Sequence, residues 1–127
     1  MKAYGGNKMT KLLLASALAG GLFVVPAAAQ SIGGSYSVSG TNLDGSHYSG
    51  EAEIKLLSDT TCSIEWKTGD SSSEGICSRN DNAFAAAYVL DDVFGLVVYK
   101  VQPDGSLDGL WTIAGKDGNG TEVLTPK

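Results

Sequence analysis

From Ser35 onward, short runs rich in Val, Ile, Tyr, Trp and Thr alternate with clusters of Gly, Asp, Asn and Ser at intervals of about ten residues. This spacing predicts strands over 35–41, 47–57, 61–68, 71–78, 83–90, 93–102, 106–114 and 119–125. The links between them carry turn chemistry: Asn42-Leu43-Asp44-Gly45, Ser58-Asp59-Thr60, Gly69-Asp70, Arg79-Asn80-Asp81-Asn82, Asp91-Asp92, Pro103-Asp104-Gly105 and Lys116-Asp117-Gly118-Asn119. Eight strands joined this tightly predict a small all-β protein, an eight-stranded antiparallel up-and-down meander that closes or nearly closes into a barrel.

Strict alternation gives the early strands an inner and an outer face. Tyr48, Gly50, Ala52, Ile54 and Leu56 share one side, and Ser49, Glu51, Glu53 and Lys55 the other. In the third strand Cys62, Ile64 and Trp66 take the core side. A hairpin turning on Gly69-Asp70 sets Gly75 opposite Ile64 and Ser73 opposite Trp66, small against large, as a narrow interior requires. The same register sets Cys62 opposite Cys77, within reach of a cross-strand disulfide.

Residues 83–90 are ambiguous, because Asp81 or Asn82 could cap a short alanine-rich helix. The β-type run Phe94 to Tyr99 that follows favours a hairpin across Asp91-Asp92. That hairpin would put Phe84, Ala86, Tyr88, Val97 and Tyr99 on one face and Ala85, Ala87, Val89, Phe94, Leu96 and Val98 on the other. Neither face is polar, so a cover is expected against the outside, whether a subunit, a partner protein or residues of the amino-terminal segment, with Phe94, Leu96 and Val98 as the surface for a protein partner. A looser echo sets Tyr36-Ser37-Val38, Asp44-Gly45-Ser46 and Gly50 beside Tyr99-Lys100-Val101, Asp104-Gly105-Ser106 and Gly109. Duplication and convergence on good turn chemistry both account for it.

Composition sharpens the picture at the amino terminus. Lys2, Lys8 and Lys11, an apolar stretch from Leu12 to Val25 and Ala27-Ala28-Ala29 form an export signal with an A-x-A stop, predicting cleavage near Gln30. The predicted product, residues 30–127, is one soluble domain, periplasmic or secreted, with no second apolar run to insert into a membrane. It holds six basic residues against fourteen acidic ones, a net of about −8, which disfavours nucleic acid and anionic membrane surfaces. In an oxidising compartment the Cys62 and Cys77 pair reads as a disulfide. With one His, His47, the two cysteines cannot complete a zinc site, so no metal is expected.

Catalytic constellations are hard to assemble from this inventory. His47 sits beside a turn, and no G-x-S-x-G elbow occurs. Glu51 with Glu53, and Asp91 with Asp92, read as solvated positions, and the domain is small for a sugar-sized cleft. Asp104-Gly105-Ser106-Leu107-Asp108-Gly109 opens like a calcium loop but has Gly115 where the closing glutamate belongs. Asn119-Gly120-Thr121 is a glycosylation sequon with meaning only in a eukaryotic secretory pathway. The chain therefore reads as a non-enzyme without a cofactor. Among its aromatics, Trp66 and Trp111 are placed to plug a barrel mouth or to line a ligand pocket.

Two stretches carry a family resemblance: Gly34-Ser35-Tyr36-Ser37-Val38-Ser39-Gly40-Thr41-Asn42 with Asp44-Gly45-Ser46, Tyr48 and Gly50, and Asp104-Gly105-Ser106-Leu107-Asp108-Gly109-Leu110-Trp111 with Gly120-Thr121-Glu122-Val123-Leu124-Thr125-Pro126. Together they resemble small exported bacterial β-barrel proteins often labelled fibronectin-binding. The resemblance implies an exported barrel and a binding or adhesion module with a protein partner or self-association, and it carries no contact residue over to this chain. The meander is also similar to lipocalin and avidin barrels, though shorter and without a recognisable set of polar ligand contacts. That likeness implies the alternative role, a carrier of a small apolar molecule.

Overall fold

The computed structural model describes residues 31–127; the export-signal reading of residues 1–29 lies outside them. Eight strands follow in chain order: β1 (Gly34–Thr41), β2 (His47–Leu56), β3 (Thr61–Thr68), β4 (Ser71–Asn80), β5 (Ala83–Leu90), β6 (Val93–Val101), β7 (Leu107–Ile113) and β8 (Gly120–Pro126). Each pairs antiparallel with the next, and β8 pairs back onto β1, from Tyr36 opposite Pro126 to Thr41 opposite Thr121. The sheet is a closed barrel. Closure leaves no unpaired edge, so the meander needs no other protection against edge-to-edge association.

The alternation read from the sequence sets the inside and the outside. Tyr36, Val38, Ala52, Ile54, Cys62, Ile64, Trp66, Phe84, Ala86, Tyr88, Val97 and Tyr99 are buried in the interior. Cys62 lies directly opposite Cys77 and is bonded to it, with their Cα atoms 5.0 Å apart. Closing a loop of this length contributes roughly 3 kcal/mol in the chain-entropy model, a substantial share for a domain of this size. The alanine-rich segment is strand β5, laddered to β4 on one side and β6 on the other.

Beyond one-residue shifts at the ends of β1, β2, β6, β7 and β8, two details depart from the expected pattern. β4 continues through Arg79 and Asn80, which pair with Phe84 and Ala83, so the expected four-residue turn contracts to Asp81-Asn82 with Asp81 at φ 59°. Leu56 keeps core parity but lies at a barrel rim, where it is 46% exposed. The echo between the two Asp-Gly-Ser segments is a likeness of loops. Residues 42–46 and 102–106 share the same backbone bonds, the same Asp-to-Ser side-chain bonds and a glycine at φ 88°. The first loop is flanked by the outward pair Thr41 and His47, and the second by the inward pair Val101 and Leu107, at opposite ends of the barrel. A duplicated hairpin would preserve sidedness, so turn chemistry accounts for the match.

Space inside the barrel is made by glycine. Four aromatic side chains each lie across a glycine directly opposite on the adjacent strand: Tyr48 over Gly40, Tyr88 over Gly95, Tyr99 over Gly109 and Trp111 over Gly120. A methyl group at any of the four would fall inside the ring beside it. Gly109→Ala removes chain entropy from the unfolded state, a gain of about 0.4–1 kcal/mol, but drives a Cβ into the buried Tyr99 ring, an overpacking cost of about 1–3 kcal/mol. The steric term wins, so a lower urea midpoint is expected for Gly109→Ala, and an unchanged or higher one would refute this packing argument.

Candidate functional site

The two ends of the barrel differ in how they are filled. At the end where β1 begins, Ile32 folds under the strands and its carbonyl accepts a 2.5 Å hydrogen bond from the Tyr36 hydroxyl. Phe84, Leu107, Leu124 and the disulfide complete an apolar plug. At the other end, ringed by the Asn42–Ser46 loop, the Gly69-Asp70 turn and the Asp91-Asp92 turn, the interior opens into a cavity of about 490 Å³. That volume lies in the range of small-molecule pockets.

The cavity walls are aromatic and its floor is polar. Tyr48, Trp66, Tyr88 and Trp111 line it with Val97 and Leu90, while Asn42, His47, Thr68, Asp70, Ser71 and Ser73 lie around the opening. Trp66 and Tyr88 meet edge to face with centroids 5.5 Å apart, and Tyr48 and Trp111 do so at 6.4 Å. At the bottom is Glu122, 6% exposed and, among the described residues, the one buried charged side chain. Its Oε1 accepts a 2.7 Å hydrogen bond from the Tyr48 hydroxyl, and its Oε2 accepts one from Trp66 Nε1 at 2.9 Å and a second, short one from the Tyr99 hydroxyl.

A single row of inward positions explains how these donors converge. Across β6, β7, β8, β1 and β2, the residues in register are Tyr99, Gly109, Glu122, Gly40 and Tyr48. Each tyrosine lies over the glycine between itself and Glu122, which brings both hydroxyls to the carboxylate. Trp66 reaches Glu122 from β3. Trp111 Nε1 is buried without a hydrogen-bond partner; its approach to Tyr48 tempers that phenol's pKa rise but falls short of hydrogen-bond geometry.

Burial and the Glu122 carboxylate, in that order, push the phenols of Tyr48, Tyr88 and Tyr99 above the ordinary tyrosine range, Tyr88 to about 12 and Tyr99 well above 10. Burial also raises Tyr36 at the closed end, with nearby Arg79 opposing. All four are neutral donors at physiological pH.

Trp66 and Trp111, singled out in the sequence, line the same cavity. His47 stands exposed at its opening. Phe94, Leu96 and Val98 are elsewhere, on the outer face of β6, where they are 71%, 56% and 58% exposed. Ile76 and Leu110 on the neighbouring strands extend that face: Ile76 follows through Ala87 to Leu96, and Leu110 lies opposite Val98. Of the paired carboxylates, Glu51, Glu53, Asp91 and Asp92 all lie outside the cavity. Sequence reasoning expected no set of polar ligand contacts and missed Glu122. The available signal was parity, because Glu122 alternates with Gly120 and Leu124 and so falls on the inward side of β8.

These features define a small up-and-down β-barrel plugged at one end and hollow at the other. The chain matches no family model and no curated protein. Among solved structures it is similar to a redesigned beta barrel, with a TM-score of 0.65 at 17% identity over 76% of this chain and 91% of that one. It is also similar to a de novo designed fluorescence-activating beta barrel, with a TM-score of 0.61 at 17% identity over 82% of this chain and all of that one. A third similar structure is EF1p2_mFAP2b bound to DFHBI, with a TM-score of 0.64 at 16% identity over 80% and 98%. At these identities the likeness is one of fold.

The raised phenols tie stability to pH. Unfolded tyrosine ionises near 10, whereas folded Tyr88 holds its proton to about 12, so above pH 10 the folded state binds more protons than the unfolded one. The stability this contributes is complete below pH 10 and is lost as pH rises through 12. Denaturant midpoints should therefore fall steadily once pH passes 10, with tyrosinate absorbance appearing together with unfolding. Free titration of all the phenols near 10 in the folded protein would contradict the buried network.

Proposed function

We propose that this protein is a non-enzymatic small-molecule binding barrel, exported from the cell, that holds a compact and largely apolar ligand in the open end. One observation carries the reading: a 490 Å³ cavity walled by Tyr48, Trp66, Tyr88 and Trp111 over a hydrogen-bonded polar floor. Apolar walls with a few fixed polar groups are the common make-up of ligand sites. The buried, unpaired indole N–H of Trp111 supports it, since leaving such a donor unmet costs about 1–3 kcal/mol, tolerated more readily at a working site than in a plain core. The similar structure of EF1p2_mFAP2b bound to DFHBI lends the same kind of support.

Trp66 and Trp111 are the chain's two tryptophans and both line the cavity, so tryptophan emission, excited selectively, reports on this site alone. Naphthalene-sized aromatics and short-chain lipids should quench or shift that emission in the wild type. Ser73→Phe, which fills the space opposite Trp66, should remove the response while preserving the β-type circular dichroism. Emission indifferent to a broad panel, with no ligand mass released on denaturing the native protein, would end this reading.

A second reading, adhesion through a protein partner as in fibronectin-binding-like proteins, draws on the exposed apolar face at Phe94, Leu96 and Val98. Under it, Leu96→Ser with Val98→Ser abolishes capture of fibronectin on a coated surface and leaves the fold intact; undiminished capture would exclude that face as the contact.

A further inference from the structure

We propose that the cavity selects a cation, a protonated amine on a compact aromatic or aliphatic body, and rejects ligands that carry a carboxylate. The inference rests on the small-molecule reading above and specifies the ligand's charge. It starts from Glu122, whose carboxylate has about four acceptor positions. Two donors occupy Oε2 and one occupies Oε1, which leaves one acceptor position on Oε1 unused in a side chain that lines the cavity.

All three present partners are neutral. They satisfy hydrogen bonds without supplying a counter-charge, and among the described residues lining the cavity there is no Lys or Arg. Besides Glu122, the ionisable groups facing the space are Asp70, His47 and the phenols of Tyr48 and Tyr88. The phenols are held in their neutral forms, and Asp70 adds negative charge at the opening. A carboxylate removed from water attracts a cation and repels an anion much more strongly than an exposed one.

The walls act in the same direction. Tyr48, Trp66, Tyr88 and Trp111 surround the space above the carboxylate, and aromatic faces attract an ammonium group through their quadrupoles, more strongly where water is excluded. An amine placed there donates to Oε1 while its body packs on the rings. A fatty acid would set its carboxylate against Glu122 with no Lys or Arg in the cavity wall to intervene, and His47 stands at the opening rather than at the floor.

Three probes sharing one aromatic body test this by calorimetry on the oxidised protein: 1-naphthylmethylammonium, 1-methylnaphthalene and 1-naphthoate. The cation should bind at least about tenfold more tightly than the neutral probe, equivalent to roughly 1.4 kcal/mol, and the anion should not bind measurably. In Glu122→Gln the ratio of cation to neutral affinity should collapse, a ratio in which any general weakening cancels. Asp70→Asn covers the case in which Glu122→Gln fails to fold: a preference that survives Asp70→Asn supports assignment to Glu122, and one that disappears overturns it. Equal binding of cation and neutral probes, or tighter binding of the anion, overturns charge selection and leaves the cavity as a binding site. Binding of none of the three probes, together with silent fluorescence, overturns both readings.

Discussion

Closing an eight-stranded sheet leaves an interior just wide enough for side chains to fill, and here the problem is solved by laying rings across glycines. Tyr48, Tyr88, Tyr99 and Trp111 each occupy the volume that a glycine on the next strand leaves empty. The arrangement does more than fill space. Because Gly109 and Gly40 flank Glu122 in one row, the rings that cover them deliver two hydroxyls to a carboxylate that would otherwise be buried without partners. Packing, polar satisfaction and the shape of the cavity floor therefore have a common origin, and none can be altered without the others.

The division of the barrel into two ends follows from where the bulk is spent. Phe84 stacks on Tyr99 at 5.5 Å, and with Ile32, Leu107, Leu124 and the Cys62–Cys77 bond it concentrates stabilising contacts at the closed end. The open end has wide walls, small residues such as Ser71 and Ser73, and a buried charge. Burying a charge without a counter-charge destabilises even where hydrogen bonds satisfy it, and the disulfide-stapled plug offsets that cost from the far side of the barrel. Outside, the strands also differ. β1 to β3 present Ser, Thr, Glu and Lys, whereas β4 to β7 present Ile76, Val89, Phe94, Leu96, Val98 and Leu110, so no apolar belt runs round the barrel.

Much of this was legible in the sequence because the governing rules are local. A period of two separates the faces, and a two-residue turn fixes a register. Gly69-Asp70 thus sufficed to place Cys62 against Cys77, and Asp91-Asp92 to place the Phe84 and Phe94 faces. Arg79 and Asn80 resisted because polar residues near a turn carry no pattern that says whether they still pair. Glu122 resisted for a different reason. Its parity was visible, but its partners lie on β2, β3 and β6, and only closure of β8 onto β1 brings Tyr48 within reach of it. The union of Trp66 and Trp111 in one cavity likewise depends on curvature, which no run of residues encodes.

The seam between β1 and β8 is a ladder like the other seven, and beyond it the Lys127 amide still donates to the Ser35 carbonyl at 3.1 Å. Topologically the barrel is a ring with a nick. Its folded state has no privileged first strand, and the position of the nick determines the order in which strands meet rather than what they form. A circular permutant that joined the ends at the plug and reopened the chain at a turn beside the mouth would keep all eight ladders, while changing which pairing must wait for the rest of the chain.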